Sequence, residues 1–126
     1  MPRPVRILLV EDNQVFREAL ELLLGMRGDV EVVAAVGDGS DVVPACDLHR
    51  PDVVLMDYRL PGMDGVQATA AVKRSYPGVA VVCLTASANE HEIEALYDAG
   101  ATECLTKDRE LDEIVDAVKR AANGSA

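Results

Sequence analysis

Hydrophobic positions along the chain switch repeatedly between two rhythms. Val5–Val10 is a short, nearly continuous apolar run broken only by Arg6, the pattern of a strand covered on both faces. From residue 14 to 26 the spacing becomes helical. Phe16, Ala19, Leu20, Leu23 and Leu24 recur at i, i+3, i+4, i+7 and i+8, Asn13 offers an N-cap, and Gly25 and Gly28 end the helix. Residues 31–36 read as a second strand and 37–39 as a turn. Ser40 caps a predicted second helix to about His49, with Pro44 tolerated in its first turn. Pro51 resets the chain before a third strand, 52–56, which delivers Asp57 at its end. Residues 58–65 hold Pro61, Gly62 and Gly65 and form a loop. An alanine-rich third helix spans 66–75, and Pro77–Gly78 turns into a fourth strand, 79–84. Asn89 and Glu92 have capping-box spacing and open a helix to about Ala99, closed by Gly100. Residues 102–106 are a fifth strand. The last helix, 110–122, carries Leu111, Ile114, Val115 and Val118 on one face, and 123–126 read as a tail or the start of a linker.

Five strand–helix pairs in alternation predict an α/β fold with a parallel sheet, right-handed crossovers and helices on both faces. The 126 residues fit one domain. Apolar residues make up 49% and charged residues 27%, so a packed core rather than disorder is expected. The apolar runs are too short to span a bilayer or to serve as a signal peptide, which makes a cytoplasmic location the expectation. Three scattered cysteines, Cys46, Cys83 and Cys104, then read as reduced thiols.

The formal net charge of −10 changes the picture more. An acidic surface with no Lys/Arg cluster argues against direct nucleic-acid contact. Acidic residues can also mark a cation site. In an open α/β sheet, ligands bind beyond the carboxyl ends of the strands, near the point where strand order reverses. The residues expected there are Glu11 and Asp12 after the first strand, Asp57 after the third, Thr85 with Ala86 and Ser87 after the fourth, and Lys107 after the fifth. Two carboxylates about 5 Å apart repel by roughly 3 kcal/mol at an effective dielectric near 20. Three together must raise their pKa values or recruit a cation. Oxygen-only ligands suit Mg²⁺, which takes one or two carboxylates with waters and phosphate. Lys107 and Thr85 suit phosphoryl oxygens, and Asp57 suits the nucleophile of an aspartyl-phosphate. Each residue alone reads as a cap, a turn or a surface group; their joint placement at one edge points to phosphoryl chemistry.

These residues, in the stretches LLVED, LMDYRLPGMDG, LTA and DAGATECLTKD, resemble the receiver domain of bacterial two-component response regulators over essentially the whole chain. The resemblance implies a flavodoxin-like (βα)5 three-layer sandwich with strand order 2-1-3-4-5. It implies phosphorylation of Asp57 by a sensor histidine kinase or phosphotransfer protein, dependent on Mg²⁺. Asp12, Asp57 and the backbone carbonyl of Arg59 would hold the ion directly, and Glu11 through water. Thr85 would be the switch hydroxyl, Lys107 the cation that pairs with the phosphoryl group, and Pro61 and Gly62 would shape the adjoining loop. Arg59 and Ser87 would influence slow self-hydrolysis, so the chain is expected to be a switch rather than a conventional enzyme. Phosphorylation adds about −1.5 to −2 charges, and the expected response is movement of Thr85 that shifts the 89–99 helix and the fifth strand.

Two departures stand out. The second switch position, usually aromatic, is Cys104, and Lys107 precedes Asp108 rather than a proline. The LPGMDG and KD details resemble the subgroup that usually carries a LuxR-type helix-turn-helix output domain, which points to transcription regulation through a segment outside residues 1–126. Val15, Leu22 and Met26 widen the apolar arc of the first helix to about 200°; they predict either a homodimer face or packing on the last helix. Among rival classes, a flavodoxin-type electron carrier lacks its hydroxyl-rich phosphate loop here, and aromatics are only 3%. A haloacid-dehalogenase-type phosphatase wants a second Asp where Arg59 stands. A receiver-like interaction module working without phosphorylation is the remaining alternative, and such modules generally lose the acidic pair, the acceptor or the lysine, all present here. Cys46 with His49, His91 and Cys83 read as structural or surface residues, and Tyr97 as either a cover on the output face or a surface residue.

Overall fold

A computed structural model describes residues 3–86 and 89–124. The strands are β1 (Val5–Val10), β2 (Val30–Val36), β3 (Val53–Asp57), β4 (Ala80–Thr85) and β5 (Glu103–Thr106); the helices are α1 (Gln14–Gly25), α2 (Val42–His49), α3 (Gly65–Ser75), α4 (Glu90–Ala99) and α5 (Leu111–Gly124). All strand pairs are parallel, in the order β2-β1-β3-β4-β5 expected from the resemblance.

The nearly unbroken apolar runs follow from burial on both faces. Ile7 and Leu9 of β1, with Leu55, Val82 and Leu84, pack under Leu20 and Leu24 of α1 and Ile114, Val115 and Val118 of α5. Leu8 and Val10, with Val54, Met56, Val81 and Cys83, pack under Val42 and Cys46 of α2, Ala68 and Val72 of α3, and Leu96 of α4. Successive side chains of one strand thus feed two separate cores, and three layers result.

Local differences from the sequence expectation have identifiable causes. The buried stripe of α1 is narrower than its apolar arc. Ala19 and Leu23 are exposed, and Val15 (79%), Leu22 (67%) and Met26 (77%) lie on the surface rather than against α5. Ser40 does not cap α2. Asp38 instead accepts from the Ser40 N–H at 2.8 Å and starts a single 3-10 turn, Gly39–Asp41, from which α2 continues with Pro44 in its first turn. A capping box closes at Asp64 and Gln67, opening α3 one residue early. At Asn89 the side chain accepts from the N–H groups of His91 and Glu92, whereas the Glu92 carboxylate turns to Arg59, so half of that expected box forms. α5 runs on through Asn123 and Gly124.

The two edges of the sheet are irregular. Between Ile7 and Leu8 the pairing of β1 skips Val33 of β2, so β2 bulges. β5 has only four paired residues, and its Glu103 is held by Arg120 of α5 at 2.8 Å. No helix among the described residues is long and apolar enough to cross a membrane.

Candidate functional site

The strand order reverses between β1 and β3, and the polar residues collect at that carboxyl edge. Glu11 follows β1, Asp57 is the last residue of β3 and Thr85 the last of β4, with exposures of only 2%, 6% and 3%. Asp12 is exposed beside them. Carboxylate oxygens of Glu11, Asp12 and Asp57 lie within 4.8 Å of one another, the one such group of three or more potential metal ligands among the described residues.

Lys107, just beyond β5, reaches across the whole edge. Its Nζ donates to Glu11 Oε1 at 2.5 Å and to Asp57 Oδ2 at 3.0 Å. Its backbone N–H donates to the Thr85 carbonyl at 2.8 Å, which sets Thr85 and Lys107 side by side. Phe16, on the first turn of α1, lies under the ammonium at 4.8 Å, a cation–π contact that limits where the lysine can swing. Glu11 is fixed from the other side: Asn13 N–H donates to Oε2 at 3.0 Å, and Arg17 Nη1 donates to the Glu11 carbonyl at 2.7 Å.

Charge balance in this hollow is incomplete. One ammonium faces three carboxylates. Burial pushes the Glu11 carboxyl above its ordinary range, against the lowering influence of Lys107 and the Asn13 N–H, and nearby Asp57 adds to the rise. For Lys107, burial works against the charged form. The bonds to Glu11 and Asp57 outweigh it and leave the ammonium held above its ordinary value. A hard, oxygen-only donor set with surplus negative charge fits a divalent cation.

The loop after β3 frames the opening. Arg59 N–H donates to Asp57 Oδ1 at 3.3 Å, while its guanidinium lies 3.5 Å from the Glu92 carboxylate on the first turn of α4. Gly62 adopts φ +76°, a conformation that favours glycine, and Pro61 accepts from the Gly39 N–H at 3.1 Å. A Cβ on Gly65 would sit 2.8 Å from Tyr58 Cα and 2.9 Å from the Asp57 carbonyl oxygen, so α3 approaches the site closely only because that residue is glycine.

Glu11, Asp12, Asp57, Thr85 and Lys107 are therefore brought together as the sequence predicts, with Arg59 at the rim. Ser87 lies outside the described residues. Cys104 is three residues before Lys107 on β5, under α4, where the hydroxyl of Tyr97 accepts from its backbone N–H at 3.2 Å. Cys46 is buried and does not pair with His49 in any metal-ligand group among the described residues. Phe16, Arg17 and Glu92 are site neighbours that sequence reasoning missed. Phe16 and Arg17 fall one turn after the Asn13 cap, a position that could have been connected to the strand end before it.

The response regulator receiver domain family matches residues 7–119. The chain is 41% identical over 126 residues to the transcriptional regulatory protein NarL of Mycobacterium tuberculosis, covering 98% of this chain and 57% of that protein. It is 35% identical over 122 residues to the transcriptional regulatory protein DegU of Brevibacillus brevis, covering 97% and 52%. The chain thus spans about half the length of these curated relatives. Among solved structures, it is similar to the signal receiver domain of the response regulator NarL from Mycobacterium tuberculosis, with a TM-score of 0.91, 39% identity and coverage of 98% of this chain and 99% of that one. A LuxR-family two-component response regulator from Aurantimonas sp. SI85-9A1 gives a TM-score of 0.90 at 28% identity, covering 96% and 86%.

Proposed function

Because the chain belongs to the response regulator receiver domain family, we propose that Asp57 accepts a phosphoryl group from a phosphohistidine of a sensor kinase or phosphotransfer protein. The observation that carries this reading is the Lys107 ammonium bridging Asp57 and Glu11 within a group of three carboxylates at the strand ends.

In this mechanism a carboxylate oxygen of Asp57 forms the new O–P bond as the P–N bond of the donor breaks and the imidazole departs. Phosphoryl transfer of this kind depends on in-line positioning and charge neutralisation rather than on further covalent chemistry. Glu11 and the Phe16 ring hold Lys107 where its ammonium can follow the charge from the Asp57 carboxylate to the phosphoryl oxygens. Thr85 offers a rotatable hydroxyl from the end of the neighbouring strand. Asp12, Asp57 and the Arg59 carbonyl would hold Mg²⁺, with Glu11 acting through water, and the ion would neutralise developing charge on the phosphoryl oxygens. Phosphorylation then adds about −1.5 to −2 charges beside the Arg59–Glu92 contact and the end of β4, which biases α4 and β5. The same reading gives the chain a part in transcription regulation in the cytoplasm, exerted through a DNA-binding output domain that residues 1–126 do not themselves form, and gives the site slow self-hydrolysis rather than turnover.

Acetyl phosphate labelling, followed by intact mass, tests the assignment. Wild type should gain one phosphoryl group in the presence of Mg²⁺ and little in EDTA, and Asp57→Asn should gain none. Unchanged labelling of Asp57→Asn would refute the acceptor. A folded wild type that takes no label with Mg²⁺ would point to an interaction module working without phosphorylation.

A further inference from the structure

One pair of reactive side chains beneath the phosphoryl site has no part in that chemistry. Cys83 in β4 and Cys104 in β5 are register partners. Adjacent parallel strands lie about 4.8 Å apart, and both thiols belong to the core between the sheet and the α2–α3–α4 layer. That separation falls within the roughly 4.4–6.8 Å Cα spacing over which a disulfide can close.

The two thiols sit in different surroundings. Cys83 is fully buried, with the Thr69 hydroxyl 3.9 Å from its sulfur. Cys104 is half-buried beside Tyr97, a ring that is itself 46% exposed and whose hydroxyl is anchored on the Cys104 backbone N–H. The hydrogen bond to Cys104, together with burial, pushes the Cys83 thiol up, whereas the hydrogen bond from Cys83 holds Cys104 below its ordinary value against its own burial, with help from Tyr97. The half-buried sulfur of Cys104 is the one a dissolved oxidant can reach and Cys83 is the buried partner beside it, the division expected of an attacking and a resolving thiol. Cys46 is an internal control: burial pushes it up to about 11, and no second thiol is placed against it.

We propose that Cys83 and Cys104 form a thiol modification site for hydroperoxides, with Cys104 oxidised first and Cys83 resolving it into a disulfide between β4 and β5. The Cys104 sulfur attacks the terminal peroxide oxygen. An S–O bond forms as the O–O bond breaks, and the departing alkoxide or hydroxide takes a proton to leave as alcohol or water. The Cys83 sulfur then attacks the Cys104 sulfur of the sulfenic acid. The S–S bond forms, the S–O bond breaks, and hydroxide takes the Cys83 proton to leave as water. Two thiols and one hydroperoxide thus give one disulfide, one alcohol or water and one further water; the peroxide is the oxidant and is reduced by two electrons. The bridge would lie two residues before Thr85 and three before Lys107. It would join the strands that carry both groups and act on the Tyr97 contact with α4. Nothing in it requires phosphorylation of Asp57, so either reading can fail alone.

The test is hydrogen peroxide treatment of the full chain, alkylation of the remaining thiols and non-reducing peptide mapping. The expected product is a linked peptide pair containing Cys83 and Cys104, with Cys46 alkylated. In Cys83→Ser, dimedone should trap Cys104 roughly tenfold or more faster than Cys46. Failure of the wild type to form the Cys83–Cys104 link overturns the proposal whatever the variant does. So does a product made only of dimers linked between chains, or dimedone labelling of Cys46 as fast as that of Cys104.

Discussion

Replacing Asp12 with Asn should stabilise the metal-free protein and weaken its response to Mg²⁺, so that the order of stabilities reverses when the ion is added. The three carboxylates lie within 4.8 Å of one another. At that distance each like-charged pair repels by about 0.9 kcal/mol at the dielectric of water and about 3.5 kcal/mol at an effective dielectric of 20. Asp12 is exposed, which places it near the lower limit, and Lys107 already offsets part of the charge on its two neighbours. Loss of its charge should therefore stabilise by about 1 kcal/mol, or about 4 °C for a chain of this length. Mg²⁺ at about 100 times its Kd should stabilise wild type by about 2.7 kcal/mol, or about 10 °C. The variant, lacking one charged ligand, should gain less than half as much. Thermal melts followed by circular dichroism, in EDTA and in excess MgCl₂, measure both quantities. An Asp12→Asn protein that melts at or below wild type in EDTA, yet gains as much from Mg²⁺, would refute the idea that these carboxylates crowd around a shared ion.

Three further outcomes follow from the geometry. Gly65→Ala forces a Cβ against the Tyr58 and Asp57 backbone. It should cost about 1–3 kcal/mol in urea denaturation and slow acetyl phosphate labelling; no change in either would contradict the close approach of α3. Leu24→Ala empties a buried site and should cost about 2–5 kcal/mol, whereas Leu22→Ala on the exposed face of the same helix should stay within about 0.5 kcal/mol; equal losses would show that the helix is rotated. The Arg27 guanidinium, hydrogen-bonded to Asp29, holds that carboxyl down at about 2. A depressed carboxyl contributes stability above its unfolded value near 4 that is lost as pH falls from about 4 through about 2. Wild type should therefore lose more stability than Asp29→Asn over that window in pH-dependent urea midpoints; parallel profiles would remove the ion pair from the account.

Much of the architecture is legible in the sequence because burial on both sheet faces leaves unbroken apolar runs, as in Val5–Val10 and β3, and because loops are punctuated by Gly62, Pro77 and Gly100. The acidic trio and Lys107 are legible because a parallel sheet places every strand end at one edge. What the sequence hides is relative rotation. The five apolar residues counted on α1 shrink to Phe16, Leu20 and Leu24 once the helix sits against β1 and β2, since an apolar residue pays no large penalty for standing in water. Ser40 was an equally good cap by composition, but Asp38 meets the chain first because β2 ends in a turn that points its carboxylate at the Ser40 N–H. Tyr97 on Cys104 depends on how α4 lies over β5. No spacing along one element encodes that contact, and through it a helix brings an aromatic ring to a strand position that lacks its own.

The skipped pairing at Val33 bears on how this molecule can meet others. A regular outer strand presents a row of unpaired backbone groups on which a foreign strand can assemble, and a bulge interrupts that row and twists it away. At the opposite margin β5 offers only four residues, and the Glu103–Arg120 ion pair ties its first residue to α5. Growth of the sheet from molecule to molecule is disfavoured on both flanks, so binding partners are steered toward helical surfaces and the loops at the strand tips.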